Sequence, residues 1–349
     1  MHESTRRSRR RAGILAGTVL ALLARTATGD DGSWPVYGGD AAHTRYTALA
    51  QIAADNVAEL EVAWRWHARN FGPNPLIRSA TTPLYVEGIL YATAGQRRSV
   101  VALDPATGET LWLWRMGEGE RLTGAPRPNP GRGVAYWSDG AGDDRILVIT
   151  PGYHLAALDA TTGRPVPGFG RDGIVDLQAG HRVRDGVPIT GSIGASSPPA
   201  VVGDVIVVGS AQHVGLRPPS RVNTPGDVRG YDARTGTHLW TFRTIPEAGE
   251  AGVDSWQDGA WRWTGNAGVW APISHDPDTG RVFLPTEAAT GDYYGGHRPG
   301  SNRFSTSLVC LDARTGERIW DFQTVHHDVW DYDNPAAPIL ADLEVDGRP

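Results

Sequence analysis

Residues 326–333 carry more chemistry per residue than any other stretch of the 349-residue chain. Within Trp320–Pro335 (WDFQTVHHDVWDYDNP) they place His326, His327, Asp328, Asp331 and Asp333 beside Trp330 and Tyr332. Carboxylates and imidazoles at that density can hold a cation and take a proton, and the aromatics can stack on a flat ring. A second reading is a polar turn between strands, its acids accepting local backbone N–H groups. The segment by itself leaves both open.

The surrounding elements are short strands and tight turns. Glycine (44), proline (25) and tryptophan (13) are all frequent, as in a β architecture plugged by aromatics. One unit recurs four times: Asp104-Pro105-Ala106-Thr107-Gly108, Asp159-Ala160-Thr161-Thr162-Gly163, Asp232-Ala233-Arg234-Thr235-Gly236 and Asp312-Ala313-Arg314-Thr315-Gly316. The aspartate closes a strand and accepts N–H groups of the turn; the glycine supplies a positive φ; the chain returns as a second strand. A tryptophan follows the glycine by four residues in three units (Trp112, Trp240, Trp320), whereas Val166-Pro167 stands there in the second. Apolar pairs such as Leu84-Tyr85-Val86 with Ile89-Leu90-Tyr91, and Ala200-Val201-Val202 with Val205 to Val208, precede the turns. Two strands before each turn and two around it make a four-stranded blade. Blades cannot bury their faces singly, so the repeat predicts an all-β fold, a β-propeller, with about four blades here. Leu60–Trp66 (LEVAWRW) alternates apolar and polar residues and predicts a further half-buried strand. Pro338-Ile339-Leu340 predicts another, leading into a turn at Asp346-Gly347, so the array reads as interrupted.

Residues 1–28 read as an export signal: a basic start (Arg6 to Arg11), an apolar run from Ala12 to Ala24, then small residues. The run is too short to span a membrane. This segment carries six arginines and Glu3, a net of +5 within a chain of net −6, so residues 29–349 carry −11. Such a body disfavours nucleic acid and anionic membrane surfaces. With no later long apolar run, the expected mature form is soluble, at most peripherally membrane-associated, and periplasmic. Cys310 is the sole cysteine, which excludes an intrachain disulfide.

The repeat, the opening Trp34-Pro35-Val36-Tyr37-Gly38-Gly39-Asp40, and the stretches at 196–210, 226–236, 293–300 and 324–338 together resemble the pyrroloquinoline quinone (PQQ)-dependent dehydrogenases. The likeness runs from about Trp34 onward and is nearer to the quinoprotein glucose dehydrogenases than to the methanol dehydrogenases. It implies an eight-bladed propeller, of which this chain would supply the first half, with PQQ and a cation (Ca²⁺, or Mg²⁺ or a lanthanide) near the axis. It implies oxidation of a sugar or alcohol hydroxyl, with a quinone or cytochrome c as electron acceptor.

The resemblance also implies roles. Asp331 matches the catalytic aspartate that takes the hydroxyl proton as hydride leaves for the quinone. Trp270 matches the tryptophan stacked beneath the cofactor, and Arg132 an arginine on a cofactor carboxylate. Ser196 falls where a hydroxyl often does the same. Asp331, Asp333 and Gln212 are the expected metal ligands. His326 and His327 read as structural, and Asp328 as a cap of its own turn. The chain departs from the pattern in carrying no acid after Ser210, where Ala211-Gln212-His213-Val214 stands, and no asparagine at Ala288-Ala289. Ala80 replaces an acid, and Gly124-Ala125 stands near a frequent vicinal disulfide. No CxxCH is present for a c-type haem. Two alternatives remain: a half-length quinoprotein without a competent site, and a non-catalytic propeller scaffold.

Overall fold

A computed structural model describes residues 32–68, 71, 79–212 and 220–344. The expected export signal, His213 and the turn at Asp346-Gly347 lie outside these residues. Four antiparallel sheets of four strands follow one another along the chain. The first contains β1 (Leu84–Val86), β2 (Ile89–Ala94), β3 (Ser99–Leu103) and β4 (Thr110–Trp114). The second contains β5 (Ala135–Ser138), β6 (Asp144–Ile149), β7 (His154–Asp159) and β8 (Ile174–Asp176). A small ribbon pairs β9 (Ile193–Gly194) with β12 (Ala211–Gln212). The third blade holds β10 (Ala200–Val202), β11 (Val205–Val208), β13 (Val228–Asp232) and β14 (His238–Phe242). The fourth holds β15 (Ser274–Asp276), β16 (Arg281–Pro285), β17 (Ser307–Asp312) and β18 (Arg318–Gln323). Among the described residues no helix is long and apolar enough to cross a membrane.

The period of two along the middle strands joins the blades. On β6, Ile146 and Val148 share a buried cluster with Leu84 and Val100 of the first blade. Their neighbours Leu147 and Ile149 share one with Ile206 and Val208 of the third. On β11, Val205 and Val207 turn the opposite way, to Val282, Leu284 and Val309 of the fourth. Each middle strand is therefore apolar on both faces, as a sheet sandwiched between two others requires.

The turn chemistry is as the repeat predicts. Thr107, Thr162, Thr235 and Thr315 donate their backbone N–H to the aspartate Oδ1 of their own unit at 2.7–2.9 Å. The glycines sit at φ of 69–73°. These glycines also receive the tryptophan of the preceding unit. A Cβ on Gly108, Gly163 or Gly316 would lie 2.4–2.6 Å from the indole of Trp64, Trp112 or Trp240. Each indole N–H then bonds the turn itself, at Pro105 O, Ala160 O and Ala313 O, each at 2.9 Å. The tryptophan-less second unit uses another device. Phe169 and Val175 fill the place against Gly236, and Gly170 N–H donates to Thr235 O at 2.7 Å.

Trp240 is 7% exposed and its equivalent Trp320, beside Phe283, is 38% exposed. Trp240→Ala empties a sealed joint and is expected to lower unfolding free energy by about 3–5 kcal/mol. Trp320→Ala should cost clearly less. Urea unfolding of the two variants in parallel checks the difference.

Two sequence expectations are corrected. Residues 60–66 form no strand, and Leu60 and Val62 are 60% and 65% exposed. No sheet edge pairs with this backbone; Trp64 and Trp66 instead lay their indoles on the first blade, bonding Pro105 O and Thr110 Oγ1. Pro338-Ile339-Leu340 also forms no strand, although Leu340 N–H donates to Ala42 O at 3.1 Å.

Candidate functional site

Three of the expected site residues occupy equivalent places in successive blades. Arg132 lies three residues before β5, Ser196 four before β10, and Trp270 four before β15. Ala80, four before β1, is the counterpart in the first blade. The innermost strand of each blade starts at the same end of the array, so these positions converge on one cavity of about 1090 Å³. Asp331 and Asp333, from the segment after β18, line the same cavity.

The residues are tied to one another. Trp270 Nε1 donates to Asp333 Oδ2 at 2.9 Å, and Ala288 N–H donates to Asp333 Oδ1 at 2.7 Å. Both oxygens of Asp333 thus hold the indole and the strand exit in register. Ser196 and Ser197 donate their hydroxyls to Trp270 O at 3.2 and 2.6 Å, and Arg132 Nη1 donates to Ser196 Oγ at 2.8 Å. The Arg132 guanidinium carbon lies 5.0 Å from the centre of the Trp270 ring. The indole lines the cavity with a cation over its ring.

Asp331 has φ of 59° and sits in the turn that Asp328 caps. Asp328 is fully buried, and its carboxylate accepts N–H of Trp330 at 2.8 Å, N–H of Tyr332 at 3.0 Å and the Thr306 hydroxyl at 2.9 Å. It therefore caps its own turn, as one of the two readings expected. His327 bonds Gly300 O at 2.8 Å through Nδ1, and His326 is exposed. The Asp331 carboxylate receives the Tyr293 hydroxyl at 3.4 Å. Its pKa is raised by partial burial, with the Tyr293 hydroxyl opposing.

Several site groups were not read from the sequence. Glu287 follows β16 and is buried in the cavity wall. Burial and the nearby Asp333 push its pKa well above the usual carboxylate range. Its Oε1 accepts Gly268 N–H at 3.1 Å. A Cβ on Gly268 would stand 2.9 Å from both Glu287 Oε1 and Gln212 Oε1, so a glycine there lets the two oxygens approach each other. Gln212 Oε1 and Asn266 Oδ1 are buried without a hydrogen-bond partner. Arg127 and Asp292 also line the cavity. The one available signal for Glu287 was an acid set directly after an apolar strand.

Among the described residues no cluster of three histidine, cysteine, aspartate or glutamate side chains could hold a metal. A cation would instead need mixed oxygen donors. Glu287, Gln212 and Asn266 supply one buried carboxyl and two orphaned amide oxygens, a set that suits a hard ion. Glu287 thus brings a carboxyl from the fourth blade near Gln212. Arg132 and Arg127, which line the same cavity, suit the carboxylates of a planar polyanion. The residues present therefore fit PQQ with a cation.

Comparison with known proteins gives the family. Residues 34–349 match the family model described as "PQQ: Glucose/ethanol/alcohol dehydrogenase, beta-propeller domain". The chain is 33% identical over 336 residues to the glycerol dehydrogenase large subunit of Gluconobacter oxydans, covering 93% of this chain and 44% of that protein. It is 32% identical over 334 residues to the quinoprotein glucose dehydrogenase of Escherichia coli, covering 91% and 40%. Among solved structures, the quinohemoprotein alcohol dehydrogenase of Comamonas testosteroni superposes with a TM-score of 0.73 at 25% identity, covering 92% and 45%. The chain spans less than half the length of these relatives. With its repeated blades, its converging Trp270, Arg132 and Asp331, and its match over residues 34–349, the chain belongs to the β-propeller family of PQQ-dependent glucose, ethanol and alcohol dehydrogenases.

Proposed function

We propose that the protein oxidises a hydroxyl of a sugar or alcohol, passing two electrons to PQQ and then to a quinone or cytochrome c acceptor outside the cytoplasm. The observation that carries this reading is that Trp270 and Asp331 line one cavity, with Asp333 clamping the indole. When bound, PQQ supplies the hydride-accepting carbonyl, and a divalent or lanthanide cation supplies Lewis-acid polarisation of it.

The chain's own residues do the rest. Trp270 offers the flat face, kept in one orientation by Asp333 and the two serines. Arg132 and Arg127 grip carboxylates; a guanidinium fork can do so bidentately. Glu287, Gln212 and Asn266 would hold the cation, and Asp331 lines the cavity of Glu287 and Asn266 from the segment after β18. Asp331, ionised, accepts the substrate's hydroxyl proton on a carboxylate oxygen as the C–H bond breaks. The basic first 28 residues, with their short apolar run, support export, which fractionation of cells expressing the chain tests directly.

The activity is tested by titrating the purified chain with PQQ, with Ca²⁺ and separately La³⁺, while following tryptophan fluorescence. Dye reduction with glucose, glycerol and ethanol is measured alongside. The expected result is saturable quenching that weakens at least tenfold in Trp270→Ala, with substrate-dependent dye reduction. Absence of both quenching and reduction overturns the proposal.

A further inference from the structure

Asp292 is the one carboxylate of this region that the chemistry above leaves unused. It is 7% exposed, and no described residue donates a hydrogen bond to it or pairs with it as a salt bridge. Its carboxylate opens onto the cavities it lines, where water or a ligand supplies the donor, and Arg298 is the cation whose field favours its charge. Asp292 also has a particular place. It lines the 1090 Å³ cavity that holds Trp270 and Asp331, and equally a second cavity of about 410 Å³ formed with Ser220, Arg221, Tyr293, Tyr294 and His297. It therefore stands where the outer cavity opens into the inner one.

Two aromatics line the outer cavity: Tyr293 and Tyr294 are exposed there, and Tyr293 reaches Asp331 through its hydroxyl. Aromatic faces beside carboxylates suit a molecule with apolar C–H edges and several hydroxyl donors. A monohydric alcohol would use Asp331 and leave Asp292 without a donor, whereas a polyol satisfies both.

We infer that Asp292 is a specificity-determining residue of this site: it accepts a second hydroxyl of the substrate whose reacting hydroxyl lies on Asp331, so that the substrate class is polyols and sugars rather than simple alcohols. This rests on the oxidation proposed above, but binding tests it separately. Saturation-transfer NMR on the whole chain, loaded with PQQ and Ca²⁺ and also without them, uses glycerol and 1-propanol as probes. Glycerol is expected to receive saturation and 1-propanol at least fivefold less. Asp292→Ala should reduce the glycerol signal to the 1-propanol level, and the isosteric Asp292→Asn, which keeps one acceptor oxygen, should fall between them. Near-UV circular dichroism shows whether each variant keeps the native packing.

In dye-reduction assays the glycerol to 1-propanol ratio of kcat/KM should drop about tenfold in Asp292→Ala, mostly through KM for glycerol. Equal saturation of glycerol and 1-propanol in the parent protein overturns the inference, as does an unchanged glycerol signal in natively packed Asp292→Asn and Asp292→Ala. Polyol binding without PQQ binding would remove the proposed oxidation and leave the polyol site standing. PQQ binding and turnover without preference for glycerol would do the reverse.

Discussion

Asp331→Asn is expected to bind PQQ with nearly parental affinity and to lose turnover by a factor of about 10²–10⁴, the range for removing a positioned general base. The amide has the shape of the carboxylate and can keep the contact to the Tyr293 hydroxyl, 3.4 Å away. It cannot hold the proton that leaves the substrate. The turn itself should survive, because the backbone N–H groups of Trp330 and Tyr332 bond Asp328 rather than Asp331.

The pH profile supplies an independent check. Burial raises the Asp331 pKa, and Asp292, pushed up to about 6 mainly by burial and then by Asp331, is coupled to it. The base works only when ionised, so activity should fall as pH drops, and the fall should begin above the ordinary carboxylate range near 4. A variant that keeps more than a tenth of parental kcat, or a profile flat down to pH 4, would remove Asp331 from the role of base.

Arg98→Met is expected to cost about 3–5 kcal/mol of stability, as much as Trp240→Ala, together with a loss of PQQ affinity. Arg98 is 2% exposed, and burial pushes its pKa down to about 10, which leaves it charged at neutral pH. Its guanidinium donates to the carbonyls of Arg127 at 2.9 Å, Asn129 at 3.1 Å, Ile149 at 2.7 Å and Ala195 at 2.8 Å. Methionine fills similar space but leaves four carbonyls without that donor, each at about 1 kcal/mol or more.

The position of these carbonyls links stability to the site. Arg127 and Arg132 flank Asn129 in one loop, Ser196 follows Ala195, and Ile149 ends β6. A Cβ on Gly131 would lie 2.9 Å from Arg98 Nε and 2.8 Å from Ser196 O, so this loop closes directly over the buried cation. Losing Arg98 frees the loop that presents both cavity-lining arginines. Urea unfolding and PQQ titration of the same sample should move together. Parental PQQ affinity in a destabilised variant would show that the loop is held by other contacts.

What could be read along the chain was whatever depends on neighbours in sequence. An Asp-x-x-Thr-Gly turn closes on its own N–H groups, so all four turns, and the blades they end, were legible from spacing. The convergence of Arg132, Ser196, Trp270 and Asp331 was legible too, from motifs that resemble a family pattern, since each precedes or follows a recognisable strand. Residues 60–66 show the limit of this logic. Their alternation is that of a strand, but a strand exists only where a free sheet edge meets it, and here the two indoles dock on the first blade instead.

Burial was decided by tertiary structure alone. Arg98, Glu287 and Asp292 look in sequence like any surface charge. Each becomes a working group because chain from distant positions closes over it: residues 127–132, 149 and 195 over Arg98, Gly268 and Asp333 over Glu287, and the two cavities around Asp292. The order of residues specifies which charges exist. The folded blades determine which of them lose water, and desolvation is what turns a charge into a ligand, a clamp or a base.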